Sequence, residues 1–295
     1  MNLKSLWILV LACVATTLSA QKKPLDQSAY DGWKSIVSPK VSENGDWICY
    51  AITPQRGDAL LEFYNVGTKQ TTRIERGGSP AWFNNDTWAT FKIAVPFAKV
   101  RQAKIDKVKA DKMPKDTFAV MNLAEMKVVK LPGAKELKTS AKGALYAYTY
   151  EVTPVKDTTV KDSAAKGNKT PGKYDRLVVV DVRTGDSTVV DSVKNFTVAE
   201  NGRSVLYTRE ADSLKAVYVY TVDPKRGVLQ RELWSSKLGA VSPSLVLDRS
   251  GEQGAFLVTA DTVKHALYDL YYFSTTDLKP RQVADAQIIG LPGGY

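Results

Sequence analysis

Ser42-Glu43-Asn44-Gly45-Asp46-Trp47-Ile48-Cys49-Tyr50-Ala51-Ile52 decides the fold: a tight polar turn that runs straight into β-branched and aromatic residues. An Asn-Gly pair between two such runs signals a hairpin, and favours a type I′ turn in which both central residues take positive φ. The same grammar returns at Asn84-Asn85-Asp86, Ala141-Lys142-Gly143, Glu200-Asn201-Gly202 and Arg249-Ser250-Gly251. Between Gly45, Asp86, Gly143, Gly202 and Gly251 the spacings are 41, 57, 59 and 49 residues. A period of that size belongs to a four-stranded blade, so the sequence predicts an all-β fold, a β-propeller with about five blades present of a larger ring.

Strand signals fill each repeat around its turn. The first holds Val37–Val41, Trp47–Ile52, Leu60–Val66 and Thr71–Glu75; the second Ser79–Phe83, Thr87–Ile93, Thr117–Leu123 and Met126–Leu131. In the third, Leu145–Tyr150 alternates as a half-buried strand should, and Leu177–Val182 and Ser187–Val190 follow. The fourth runs through Phe196–Val198, Ser204–Thr208, Val217–Val222 and Val228–Trp234, and the fifth through Ser244–Leu247, Ala255–Thr259, Leu270–Phe273 and Arg281–Val283. Two insertions explain the long spacings. Phe97–Lys112 lacks Gly and Pro and reads as a short, strongly basic helix making a solvated excursion, and Pro154–Gly172 reads as a polar loop. Gln287–Tyr295 resembles the first strand of a sixth repeat, so the expected organisation is a signal segment over 1–20, a lead-in over 21–36 and an incomplete propeller over 37–295. A closed five-bladed ring is the alternative.

The first 20 residues fit an export signal: Lys4, the apolar run Leu6–Val14, and Ser19-Ala20 before Gln21. That run is too short to span a bilayer, so the expected protein is exported to the periplasm or beyond, without a transmembrane span. A lipoprotein anchored through Cys13 is the competing reading, although Leu11 fits a lipobox poorly. Signal removal would leave Cys49 as the single cysteine, so stability must come from packing rather than a disulfide. The net charge of +10 lies largely in the two insertions, and no nucleic-acid motif accompanies it, so nucleic acid is not an expected partner.

Two segments and their neighbours carry a family resemblance. Leu25-Asp26, Tyr30-Asp31-Gly32-Trp33-Lys34-Ser35-Ile36 and Ser42–Trp47 resemble the start of secreted prolyl oligopeptidase-family (S9) serine peptidases of Bacteroidetes-type bacteria. Lys112-Met113-Pro114-Lys115-Asp116 and Gly290-Leu291-Pro292-Gly293-Gly294-Tyr295 are similar to the same group. The resemblance implies a non-catalytic propeller that gates peptides entering an α/β-hydrolase domain with a Ser-His-Asp triad, a partner domain lying beyond this sequence. A stand-alone propeller acting as a protein-interaction scaffold is the alternative function.

Catalytic machinery is not expected within the chain itself. A nucleophile elbow needs Gly-x-Ser-x-Gly between strand and helix. The nearest stretch, Gly77-Gly78-Ser79-Pro80-Ala81, lacks the last Gly and runs into a strand, which makes Ser79 a blade-edge serine. The only histidine, His265, falls between two strands of the fifth repeat. No adjacent Glu-Glu pair exists of the kind dipeptidyl-peptidase members use for the substrate amine, and no calcium-loop or phosphate-loop pattern occurs. No cofactor, metal or site residue is therefore assigned. Tyr146, Tyr148 and Tyr150 share a strand face and are expected to pack between blades.

Overall fold

The computed structural model describes residues 30–153, 172–211, 213–223, 227–261 and 267–285. Five four-stranded antiparallel sheets follow one another along the chain, each strand pairing only with its sequence neighbours. The first blade is β1 (Lys34–Val41), β2 (Trp47–Pro54), β3 (Leu60–Asn65) and β4 (Thr71–Glu75); the second is β5 (Gly77–Phe83), β6 (Trp88–Ile93), β7 (Thr117–Asn122) and β8 (Lys127–Leu131). The third is β9 (Ala134–Thr139), β10 (Leu145–Val152), β11 (Tyr174–Asp181) and β12 (Ser187–Val190). The fourth comprises β13 (Val193–Val198), β14 (Ser204–Ala211), β15 (Leu214–Asp223) and β16 (Gly227–Ser236), and the fifth β17 (Ala240–Leu247), β18 (Gln253–Thr259), β19 (Asp269–Ser274) and β20 (Arg281–Ala284). This is a run of propeller blades. First strands approach one another across blades, β9 with β13 and β13 with β17, so the first strands form the inner margin of the arc.

Period-two alternation sends side chains to both faces of each inner sheet, and four apolar clusters result, one per blade boundary. Trp47, Cys49, Leu61 and Phe63 meet Ala89, Phe91, Ala119 and Met121 between blades one and two. Phe83 and Val120 meet Tyr146 at the next boundary, Ala147 and Val179 meet Phe196 and Tyr207 at the third, and Leu206 and Val219 meet Phe256 and Phe273 at the fourth. On β14, Val205 and Tyr207 face blade three while Leu206 faces blade five. Fully burying such an aromatic is worth about 2–3 kcal/mol, so these clusters are the main adhesive between blades. Cys49 belongs to the first cluster as a small apolar residue, and burial pushes its thiol up to about 11 despite nearby Lys40, which leaves it unreactive. The Tyr146, Tyr148 and Tyr150 rings stack at 6.3 and 6.2 Å, the first two packed into the second boundary as expected.

Three readings of the sequence are corrected. The Asn-Gly turns are not type I′: Gly45 and Gly202 have positive φ (76° and 67°) but Asn44 and Asn201 do not. Gly45 N–H donates to the Ser42 carbonyl at 3.0 Å and Gly202 N–H to Ala199 at 3.0 Å, so a tight turn is followed by a left-handed glycine, the other common hairpin solution. The basic helix, α1 (Phe97–Ile105), stops seven residues short of Lys112. Lys107 turns left-handed (φ 52°), Val108 N–H bonds to the Ala103 carbonyl and Lys107 N–H to Lys104, a Schellman end that needs no glycine. Strand β9 was not read from the sequence at all, because Ala-Lys-Glu-Leu-Lys-Thr carries one large apolar residue. The expected Pro154–Gly172 loop, His265 and the Gln287–Tyr295 strand fall largely or wholly outside the described residues.

Every first strand carries a bulge against its partner, opposite Tyr50 in β1, Phe91 in β5 and Leu257 in β17, and at Lys135 in β9 and Lys194 in β13. In three blades the bulge contains a Ser-Pro pair, Ser38-Pro39, Ser79-Pro80 and Ser242-Pro243, the last with Ser244 as a third residue. Proline has no N–H to give a ladder, so it is placed where none is needed, and the extra residue bends the inner strand around the arc.

Gly143 brings backbone against backbone between blades three and four: a Cβ there would lie 2.0 Å from the Asn201 carbonyl oxygen and 2.4 Å from Gly202 Cα. Gly143→Ala is therefore expected to cost about 2 kcal/mol or more, lowering the thermal midpoint by roughly 5 °C. Gly78, where a Cβ meets nothing within 4 Å, is the control and should tolerate alanine within about 0.5 kcal/mol. Equal midpoints for the two variants in a melting experiment would contradict this packing.

Candidate functional site

The five polar turns gather at one end of the arc and bond to one another in series. Asn44 N–H donates to Asp86 Oδ2 at 3.1 Å, joining blades one and two. Asn84 and Asn85 N–H donate to the Ser140 and Ala141 carbonyls at 3.3 and 3.1 Å, and Asn85 Nδ2 to the Lys142 carbonyl at 3.1 Å. Lys142 N–H donates to Glu200 at 2.8 Å, Asn201 N–H to Arg249 at 3.2 Å, and Asn201 Nδ2 to the Ser250 carbonyl. Buried Ser204 adds a hydroxyl bond to the Gly251 carbonyl at 2.7 Å. A second series ties the β3–β4-type turns to the first: Val66, Leu123, Val182, Val222 and Thr275 N–H donate to the carbonyls of Asp46, Thr87, Ala144, Arg203 and Glu252. Each turn is thus held from two sides, and the side chains on this end are carried by a bonded frame rather than by free loops.

Three clefts open on that frame. The first, about 490 Å³, lies between blades one and two; its lining includes Asp46, Asp86, Trp47 and Trp88, with no lysine or arginine. A cleft of about 220 Å³ on the inner margin follows, with Lys40, Glu43, Trp82, Asp86 and Lys142 in its wall. Beyond it, about 410 Å³ between blades two, three and four is lined by Lys142, Arg183, Arg203 and three asparagines, with no carboxylate. Arg183 is held in place by buried Asp181, through Nε at 3.0 Å and Nη2 at 2.6 Å. Burial pushes the Asp181 carboxyl up, but the bonds from Arg183 outweigh it and hold the group below its ordinary value. Arg203 makes a loose, exposed pair with Glu252 at 3.6 Å, worth little in water.

At the opposite end, the α1 excursion is fixed to the body. Phe97 N–H donates to Asp58 Oδ1 at 2.7 Å and Val95 N–H to Asp116 Oδ1 at 3.1 Å. Its surface is otherwise exposed, with Ala103 the one buried residue of the helix. Ser79 lies exposed on edge strand β5, with φ 52° at the bulge, so the stretch nearest to a nucleophile elbow builds a strand. Among the described residues no helix is long and apolar enough to cross a membrane, and no group of three or more His, Cys, Asp or Glu could hold a metal ion. The sequence marks none of the cleft residues as a site; the turn motifs located their backbone, but their grouping depends on turns 41 to 59 residues apart in sequence coming together.

No protein-family model and no curated protein matches the chain. Similar solved structures include an acylaminoacyl peptidase from Pyrococcus horikoshii, 10% identical over 88% of this chain and 40% of that one, with a TM-score of 0.42. The β-propeller domain of the Trilobed protease from Pyrococcus furiosus is 12% identical, covering 85% and 72%, at 0.42, and a eukaryotic initiation factor is 8% identical, covering 84% and 54%, at 0.48. This chain spans about 40% of the length of the acylaminoacyl peptidase. Likenesses this distant say nothing of what the chain does.

Arg183→Met removes the side-chain partner that opposes burial at Asp181 and leaves the backbone N–H bond of residue 183 in place. The Asp181 carboxyl is then expected to rise from its depressed position toward the ordinary value of about 3.9, read by carbon NMR across a pH series. With Arg183 present, the depressed group stabilises the fold above that ordinary value and loses its contribution as pH falls through the folded one; in the variant that contribution shrinks. A carboxyl that stays as depressed in the variant would place the cause elsewhere.

Proposed function

We propose that the chain is the non-catalytic propeller region of an exported S9-type serine peptidase, gating peptides on their way to a Ser-His-Asp hydrolase domain outside this sequence. The observation that carries this reading is the position of Ser42–Trp47, one of the segments resembling the family. It forms the first link of the turn series: Ser42 Oγ donates to Asn44 Oδ1 at 2.6 Å and accepts from Trp47 N–H at 3.0 Å, while Asn44 reaches Asp86 of the next blade. Lys112–Asp116, another such segment, leads directly into β7 and supplies the Asp116 clamp. The resembling segments therefore include residues that tie one blade to the next, which supports the reading. A frame bonded from turn to turn supports gating physically, because it resists the spreading that would admit a folded protein while leaving clefts that fit an extended chain.

The test has two parts. The coding frame following Tyr295 should continue into Gly-x-Ser-x-Gly, then Asp and His in that order, and the purified 295-residue chain should show no turnover of a proline-containing peptide. A stop codon directly after Tyr295 would overturn the peptidase reading and leave the interaction-scaffold reading in its place; turnover by the pure chain would overturn its non-catalytic role.

A further inference from the structure

We propose that the three clefts on the turn end form one polar groove that binds a short extended peptide in a single direction, its free N-terminus at blades one and two and its free C-terminus at blades three and four. The ligand class rests on the peptide-gating reading above; the direction rests on this chain's own charges. The clefts adjoin, because Asp86 stands between the first and the middle one, and Asn85 and Lys142 between the middle and the last.

Their signs differ from end to end. The first cleft offers the carboxylates of Asp46 and Asp86 and no cation. Asp86 Oδ2 already accepts from Asn44, which fixes the carboxylate and leaves its second oxygen for an ammonium. The last cleft offers Lys142, Arg183 and Arg203 and no carboxylate. Lys142 pairs with no described acid, and the Asp181 clamp on Arg183 engages Nε and Nη2 but not Nη1. Backbone donors there are committed to the frame, Lys142 N–H to Glu200 and Arg183 N–H to Asp181, so a carboxylate would be recognised by side chains. Charge-assisted bonds of this kind are the strong ones.

Trp82 lines the connecting cleft with part of its ring and packs edge-on against Phe63 at 5.6 Å, which gives that cleft an apolar wall between the two charged ends. Packed sheets lie about 10 Å apart, so two blade spacings make roughly 20 Å, matched by about six extended residues at about 3.3 Å each. Trp47 and Trp88 in the first cleft and Trp82 in the middle one make binding visible in intrinsic fluorescence.

The experiment uses the full chain and a hexapeptide of alanines with a central proline in four forms: both ends free, N-acetylated, C-amidated, and capped at both ends. Affinity is followed by tryptophan fluorescence and calorimetry. The free form should bind, and each cap should weaken binding about tenfold or more. In a Lys142→Gln/Arg203→Gln variant amidation should cease to matter while acetylation still does; in Asp46→Asn the dependence on acetylation should shrink instead. These side chains are exposed, and an unchanged melting midpoint confirms that the variants fold. Affinities indifferent to the caps, cap effects that persist in the matching variant, or no binding up to millimolar peptide would each overturn the groove. None of those results bears on the coding frame beyond Tyr295, so failure of the groove and failure of the peptidase reading are separable.

Discussion

The series of hydrogen bonds from turn to turn is the constraint on which the rest of the structure depends. An apolar boundary between two sheets is non-directional and would tolerate a range of angles between blades. The turns remove that freedom, because Asn44, Asn85, Lys142 and Asn201 each commit a backbone N–H to the following blade. Each such bond contributes only about 1 kcal/mol net, yet leaving a buried donor unmade costs more, so the geometry that satisfies all of them together is selected. Gly143 against Gly202 shows how close the approach becomes when backbone meets backbone without side chains between.

Much of this was legible in the sequence. Second and third strands of each blade are buried on at least one face, so Trp47–Ile52 and Ser204–Thr208 announced themselves as runs of β-formers and Leu145–Tyr150 by alternation. First strands were harder, since they lie at a sheet edge on the inner margin: β1 is exposed at all eight positions, and β9 carries Leu137 among lysines and a glutamate. A usable signal existed in the Ser-Pro pairs at 38, 79 and 242, each marking a first-strand bulge a few residues ahead of its turn. The turn type was misjudged because Asn-Gly serves two hairpin geometries, and here only the glycine takes positive φ.

The groove was not legible for a different reason. Asp46, Lys142 and Arg203 look like ordinary solvated turn residues, and only the bonded frame arranges carboxylates at one end and cations at the other. The basic excursion shows the converse. Its composition invited a binding reading, but α1 has cations and apolar residues distributed without a consistent face, and its fixed feature is the pair of carboxylate clamps at its base.

Amide hydrogen exchange resolved at single residues tests the central claim most directly. If the turns are bonded across blades, the N–H groups of Asn85, Lys142 and Asn201 should exchange on the slow timescale of β6, β10 and β14, although they sit in polar turns at the end of the arc. Exchange of these three amides as fast as that of ordinary surface loops, with the strands protected, would contradict it.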